Sequence, residues 1–132
     1  MIPAQAVRGW VRDTLSPVVP TYVAAPTGVG AFPAALVGRP SWDYNQGPCW
    51  DRMTLVVAVL VERTGTNDGA LMEVLDGLHE SCVGALRAAL RADQTMGGLV
   101  IDGTVTRTTP DIMTVAGTDY PCLLVTLEIT GG

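Results

Sequence analysis

Residues 53–61 form a run of nine residues without a charge, closed by Glu62 and Arg63. A strand that is buried on one face only should alternate between apolar and polar residues. In this run the first alternating set is wholly apolar, and the second is apolar in its middle. The two sets are Met53, Leu55, Val57, Val59 and Val61, and Thr54, Val56, Ala58, Leu60 and Glu62. We therefore predict a central strand, with helices over one face and more chain or another subunit over the other.

Helical periodicity appears in two places. Residues 3–15 carry one apolar stripe, and Ser16-Pro17 should stop that helix. Residues 68–92 carry a longer stripe, with Gly77 and Gly84 weakening its middle. Ser81 is placed to cap a second helix, so the sequence leaves open a break near residues 78–82. Gly97-Gly98 is expected to end the element. The longer stripe consists of Leu71, Val74, Leu75, Leu78, Cys82, Leu86, Ala89 and Leu90.

Extended segments complete the pattern. Prolines surround 21–25 and 34–37, which are predicted as edge or short strands, and 41–50 is predicted as a loop. In the last third, residues 99–106 alternate as a half-exposed strand, Thr109-Pro110-Asp111 is expected to turn the chain, and 112–116 pairs with 120–129 around 117–119. Within the closing strand, alternation separates two faces: Leu123, Val125, Leu127 and Ile129, and Cys122, Leu124, Thr126 and Glu128.

This order of elements predicts one α+β domain over residues 1–132. We expect two layers, with the helices packed on one face of a mainly antiparallel, mixed β-sheet. The composition, 48% hydrophobic and 16% charged, is typical of a folded chain with a core. We found no internal repeat that would suggest a second domain.

Charge and cysteine usage narrow the classes of function. The formal net charge of −5 and eight scattered arginines argue against a nucleic-acid partner. Prolines interrupt the long uncharged run 14–38, so no membrane helix is expected. The first fifteen residues have no apolar secretory region, and Cys49, Cys82 and Cys122 are odd in number. Reduced thiols in a cytoplasm are therefore expected.

Signals for catalysis or metal binding are weak. His79 and Cys82 lie three residues apart, and Cys49 or Cys122 would have to complete a zinc site, but no CxxC or HxxxH spacing is present. Gly28-Val29-Gly30 is followed by Ala-Phe-Pro rather than by a helix, so it is no dinucleotide fingerprint.

The remaining acidic candidates form no recognisable pair. Asp43, Asp51 and Asp102 are carboxylates in predicted turns or strand ends, and nothing in the sequence brings two of them together. Adjacent positions on a helix point in different directions, so His79-Glu80-Ser81 is not a triad. We predict no enzyme activity, no catalytic residue, no cofactor and no metal.

The aromatic loop is the strongest candidate site. It comprises Trp42, Asp43, Tyr44, Trp50 and Arg52, and it holds three of the six Trp and Tyr residues within nine positions. Trp, Tyr and Arg dominate the hot spots of protein interfaces. The loop is therefore either a subunit or partner contact, or a local aromatic core that pins it to the sheet; the sequence weighs these about evenly.

Several segments together resemble a known family. Pro33-Ala-Ala-Leu-Val-Gly38, Ser41-Trp-Asp-Tyr44 and the stretch from Asp51 to Val61 resemble the front half of tail terminator (tail completion) proteins of long-tailed siphophages, especially those of actinobacterial hosts. Similar matches follow at Ala85-Leu-Arg-Ala-Ala-Leu90, Asp93-Gln-Thr-Met-Gly-Gly98, Val115-Ala-Gly-Thr-Asp-Tyr120 and Val125-Thr-Leu-Glu128. The likeness covers roughly residues 20–130 and consists of strand, loop and turn patterns. The Pro-Gly break of the relatives is missing from Asp76–Cys82.

The resemblance implies an α/β subunit of a virion neck, assembled in the host cytoplasm. Such subunits form a homo-oligomeric ring, usually a hexamer, on the tail tube. The ring stops tube polymerisation and gives the head-completion or connector protein its joining surface. The alternatives are a head–tail connector or head-closure subunit and, from another class, a small metal-dependent enzyme using His79 with Cys82 or nearby carboxylates.

Overall fold

The computed structural model describes residues 2–23, 33–43, 51–62 and 68–131, with the backbone alone for 68–71. Two helical units pack with a six-stranded sheet, which confirms the predicted α+β class. In chain order the elements are α1 (Ala4–Leu15), β1 (Thr21–Tyr22), β2 (Ala34–Val37), β3 (Ser41–Asp43), β4 (Asp51–Leu60), α2 (Asp68–Leu78), a π-helical segment (His79–Val83), α3 (Gly84–Ala92), β5 (Asp102–Val115) and β6 (Thr118–Gly131).

The sheet is mixed, and β4 lies at its centre as predicted. Its strand order is β1-β2-β4-β6-β5, and β3 pairs with β4 beside β2. Only β1 and β2 run parallel; the other described pairs are antiparallel. The alternate residues of β4 from Met53 to Val61 are all buried under the helices, together with the matching residues of β6. The first predicted face of the central strand is therefore confirmed.

The predicted loop at 41–50 is partly wrong, because its first three residues form β3. Val37 pairs with Val57 and Ser41 pairs with Thr54. Between these two pairs the β2–β3 stretch has three residues and β4 has two. One extra residue on one strand is the mark of a β-bulge. Within it, the Gly38 amide donates to the Val56 carbonyl oxygen at 2.9 Å. The Gly and Pro signals of this stretch thus mark a bulge between two short strands rather than a loop.

Gly38 is the residue that this close approach requires. A Cβ at position 38 would lie 2.7 Å from the Val56 carbonyl oxygen, whereas a Cβ at Gly77 in α2 would meet nothing within 4 Å. We expect Gly38→Ala to lower the melting temperature, since the β2–β4 pairing must shift. Gly77→Ala should raise it, because Gly in a helix interior costs about 0.5–1 kcal/mol relative to Ala. Thermal melts of the two variants check this; a Gly38→Ala protein that melts like wild type would contradict the bulge geometry.

The second helical unit is continuous from 68 to 92, so the break left open near 78–82 does not occur. The chain widens into a π-helical turn at His79–Val83 instead, and no side-chain cap is formed there by Ser81. A π-turn holds an extra residue within the helix, and here the neighbours Cys82 and Val83 are both buried. One predicted stripe residue, Val74, faces solvent with 51% exposure. The buried side chains of the unit are Leu75, Leu78, Cys82, Val83, Leu86 and Leu90.

A polar turn joins α3 to β5. The helix ends at Ala92, five residues before the Gly97-Gly98 pair that was expected to end it. The Asp93 carboxylate accepts from the amides of Thr95 at 3.0 Å and Gly97 at 2.8 Å, as well as from the Thr95 hydroxyl. The Thr95 hydroxyl bond first, then those amide bonds, lower the pKa of Asp93. Gly97 and Gly98 instead have positive φ angles within this turn, +74° and +87°, and follow Met96, whose φ is also positive at 52°.

The last third is one long hairpin rather than a short strand, a turn and a hairpin. The predicted turn at 109–111 is wrong: these residues continue β5, with Pro110 opposite Leu123. Proline is tolerated here because β5 is an edge strand. The hairpin reverses at Ala116-Gly117, whose φ angles of 51° and 81° match a two-residue type I′ turn. The turn therefore lies one residue earlier than the predicted 117–119.

Candidate subunit and partner surfaces

The five residues of the predicted aromatic site are not presented on one surface. Trp42 of β3 lies opposite Met53 and packs, half-buried, against the main core beneath the helices. This contact supports the pinning role for Trp42. Tyr44 and Trp50 lie outside the described residues.

Asp43 and Arg52 lie on the opposite face of the sheet from Trp42. They are directly across from each other in the β3–β4 pair, and Arg52 is in turn opposite Thr130 of β6. Opposite charges in this position contribute roughly 0.2–1 kcal/mol. The row continues to Asp102, which pairs with Thr130 from the other side. Asp43 and Asp102 thus stand three strand spacings apart, or about 14 Å, so they form no carboxylate pair.

The second sheet face, which carries Asp43 and Arg52, has two ends of different chemistry. At one end the chain itself buries Ala58 and Leu60, which are 1% and 0% exposed. A smaller apolar cluster forms there, consisting of Leu36, Ala58, Leu60, Val115 and Cys122, with Tyr22, Met113, Tyr120 and Leu124 against it. The second cover expected over β4 is therefore supplied at this end by the chain's own residues.

The other end of that face is polar and open in the described chain. Val56 and Thr126 form a cross-strand pair there, and so do Thr54 and Glu128; all four side chains are half-buried. On β5 the exposed residues Thr104 and Arg107 continue the two rows. We call this hydroxyl-rich surface the polar face.

The β5–β6 hairpin extends beyond the rest of the sheet. The β4 pairing with β6 ends at Leu60 and Cys122, followed by one bond from the Val61 amide to the Pro121 carbonyl. Residues 118–120 and their partners on β5 therefore pair beyond the end of β4, over about 10 Å of strand at the usual rise per residue, and Met113, Val115 and Tyr120 of this extension pack into the smaller apolar cluster. At the base of this extension, opposite Pro121, Ile112 is 68% exposed, the most exposed large apolar side chain among the described residues.

The candidate zinc ligands do not converge. His79 is exposed on the π-helical segment, whereas the Cys82 side chain is buried in the main core. Cys122 is buried on the other side of the sheet, and Cys49 lies outside the described residues. Burial raises the pKa of Cys82, and burial first and then the charge of Asp111 raise that of Cys122 to about 11. Within the described ranges, no three His, Cys, Asp or Glu residues form a metal-binding group.

Arg8 has a structural role that the sequence analysis did not find. Its guanidinium donates to the carbonyl oxygen of Val23 and, at 2.9 Å, to that of Val37. It thereby ties α1 to the chain after β1 and to the end of β2. Its Nε is buried and has no hydrogen-bond partner among the described residues. The only signal in the sequence was its position at the border of the apolar stripe of α1.

A groove with basic walls runs between α3 and the edge strand β5. Arg87 and Arg91 lie one helical turn apart on α3 and line it together with Gly103, Thr104 and Val105. Its continuation is lined by His79, Val83, Arg87, Val105, Thr106, Arg107 and Thr108. No Asp or Glu is among the described residues that line either part. A chain with a net charge of −5 thus carries a local cationic strip.

Comparison with known proteins gives no identification, since the chain matches no protein-family model and no curated protein. Among the helices of the described residues, none is long and apolar enough to cross a membrane.

Proposed function

We propose that this protein is a tail terminator of a long-tailed phage: it forms a ring on the end of the tail tube, stops polymerisation and offers the head-joining surface. The observation that carries the proposal is the β5–β6 hairpin, which is longer than the rest of the sheet and exposes Ile112 at the base of its extension. The polar face supplies a second surface of different chemistry. The sequence resemblance over roughly residues 20–130 supports the same function.

A tail tube stops growing only when its end no longer offers the surface to which the next ring binds. Each added ring of a tube exposes a surface like the one that it covers, so this head-to-tail contact does not close by itself. A terminator must match the tube on one side and present something else on the other. The exposed apolar side chain of Ile112 and the polar face meet that requirement, because one subunit carries two accessible surfaces that differ in chemistry.

The proposed partners are further copies of the chain in a ring, the tail tube protein and a head-completion or connector protein. In a ring, the subunit contact is heterologous, which means that two different patches of each subunit meet. The proposed location is the virion neck, and the role needs no catalytic group.

A phage that lacks the gene tests the proposal. We expect intact heads and unattached tails of uncontrolled, often excessive length, measured by electron microscopy of the lysate. A plasmid copy of the wild-type gene should restore tails of normal length. Tails of normal length joined to heads would refute the terminator function. Normal-length tails left unjoined would favour the head–tail connector or head-closure alternative.

The same complementation assay resolves which surface acts. Ile112→Glu places a charge on the exposed apolar part of the hairpin, and Val18→Glu is the matched control, since Val18 is also an exposed aliphatic residue, at 42%. The hairpin contact predicts that Ile112→Glu fails to restore tail length although the protein is folded and present. Equal rescue by both variants would remove the hairpin from the tube contact.

A further inference from the structure

We propose that the groove between α3 and β5 binds an extended, acidic segment of a partner protein, which adds to the free edge of β5. The proposal rests on the groove's charge and on the edge strand, and on no step of the proposed terminator function. The groove shares Thr104 and Arg107 with the β5 border of the polar face, and Ile112 is not among the residues that line it.

The groove has two arginines with no carboxylate partner among the described residues. Arg87 and Arg91 are exposed, and neither forms an ion pair with any described residue. Arg107 flanks the strand on the other side of the sheet, where its Nε donates to the Thr109 hydroxyl at 3.0 Å. The groove side of the β5 edge therefore carries two arginines, and Arg107 adds a cation on the other face, which also holds Glu128 and Asp102. Such an arrangement attracts a negatively charged chain and disfavours a basic one.

The backbone of β5 supplies the second half of the site. This strand pairs with β6 on one side and is the last in the sheet order. An edge strand offers unpaired amides and carbonyls, to which an extended peptide can add as a further strand. The bulge between Val105 and Arg107, and Pro110 further on, restrict regular pairing to 102–105 and 107–109. The site thus suits a short segment beside the arginines.

The spacing of the arginines fits a strand. Arg87 and Arg91 are four residues apart on a helix, which corresponds to about 6 Å along the axis. In a strand, residues i and i+2 point to the same face and lie about 6.6–6.8 Å apart. The residues lining the groove place α3 beside β5: Arg87 and Arg91 line one part with 103–105, and Arg87 lines the other part with 105–108. Two acidic residues that alternate with another residue would therefore face both arginines.

A nucleic acid fits this groove less well than a protein segment. Nucleic acid carries its charge on the backbone and does not supply the amide donors and carbonyl acceptors that an edge strand needs. The net charge of −5 would also repel a long polyanion over the rest of the surface.

The test uses the full chain and a short labelled peptide in which Glu alternates with Val. The comparison peptide has the same composition, with its Glu residues in one block. At about 50 mM salt, where charges are weakly screened, we expect fluorescence anisotropy to show the alternating peptide binding at least about tenfold more tightly than the block peptide. Hydrogen exchange should show new protection of β5 amides on binding.

Variants identify the site. Arg87→Gln with Arg91→Gln should weaken binding of the alternating peptide by about tenfold or more. Arg12→Gln, which removes an exposed arginine of α1, is the control and should leave binding unchanged. The proposal is overturned by equal affinity for the two peptides, by equal loss in the control, or by tighter binding of a single-stranded oligothymidine.

Discussion

Leu127→Ala should lower the free energy of unfolding by about 2–5 kcal/mol, the usual cost of truncating a buried leucine. Leu127 lies in β6 between Leu55 of β4 and Val105 of β5, and its side chain is 0% exposed. It belongs to the main core, where the sheet meets both helical units. The truncation removes contacts with β4, with β5 and with the helices, and the dense core can only partly close the cavity that is left.

Ile112→Ala is the matched control for that variant. It also truncates a large aliphatic residue in the β5–β6 hairpin, but its side chain is 68% exposed. We expect a change within about 0.5 kcal/mol, as for most surface substitutions. Chemical denaturation of both variants gives the comparison. A Leu127→Ala protein as stable as Ile112→Ala would contradict the assignment of the sheet faces.

The parts of the fold that were predictable are those in which side-chain periodicity is decided by burial. β4 is apolar on its first face because the helices cover that face, and apolar at Ala58 and Leu60 on the second because the smaller cluster buries that end. In β6, Val125 faces the core and its neighbour Thr126 lies on the polar face, so the alternation in the sequence identifies the two sides of the strand. Apolar and polar residues alternate in the sequence of a strand wherever one of its faces is buried and the other is not.

The wrong predictions concern features that depend on how distant segments pair and pack, which the residues of one short segment do not show. Thr109-Pro110-Asp111 has turn chemistry, but an edge strand accepts these residues because one side of it needs no donor. Ser41–Asp43 was hidden by the bulge that precedes it. The π-turn at His79–Val83 places Cys82 and Val83 in the core together, and an α-helical period of 3.6 does not anticipate that.

The candidate site shows the same limit. Trp42 and Asp43 are neighbours in sequence, so composition grouped them, but adjacent residues of a strand point to opposite faces. Trp42 accordingly joins the main core and Asp43 stands on the other face, beside Arg52. The groove between α3 and β5 was equally hidden, because Arg87 and Arg91 of the helix line it together with 103–105 of the strand, and the sequence does not show that α3 and β5 are neighbours.

Arg8→Ala is expected to destabilise the fold by roughly 2–4 kcal/mol, although arginine is usually a surface residue. Its guanidinium donates to the carbonyl oxygens of Val23 and Val37, which belong to two different segments. Hydrogen bonds to a charged group contribute about 1.5–3 kcal/mol each, and they are partly replaced by water in the variant. Alanine is at least as good a helix former as arginine, so the loss would come from these contacts and not from α1 itself.

Arg12→Ala provides the comparison within the same helix. The Arg12 Nε lies 3.2 Å from a carboxylate oxygen of Asp13, and both side chains are largely exposed. An exposed ion pair contributes about 0–1 kcal/mol, so the variant should unfold almost like wild type. The two variants remove the same side chain from one helix and differ in what that side chain holds. If urea denaturation gave them equal stabilities, Arg8 would not hold α1 to the β1–β2 edge. A larger loss of stability in Arg8→Ala than in Arg12→Ala would mean that the Arg8 guanidinium holds the β1–β2 edge to α1.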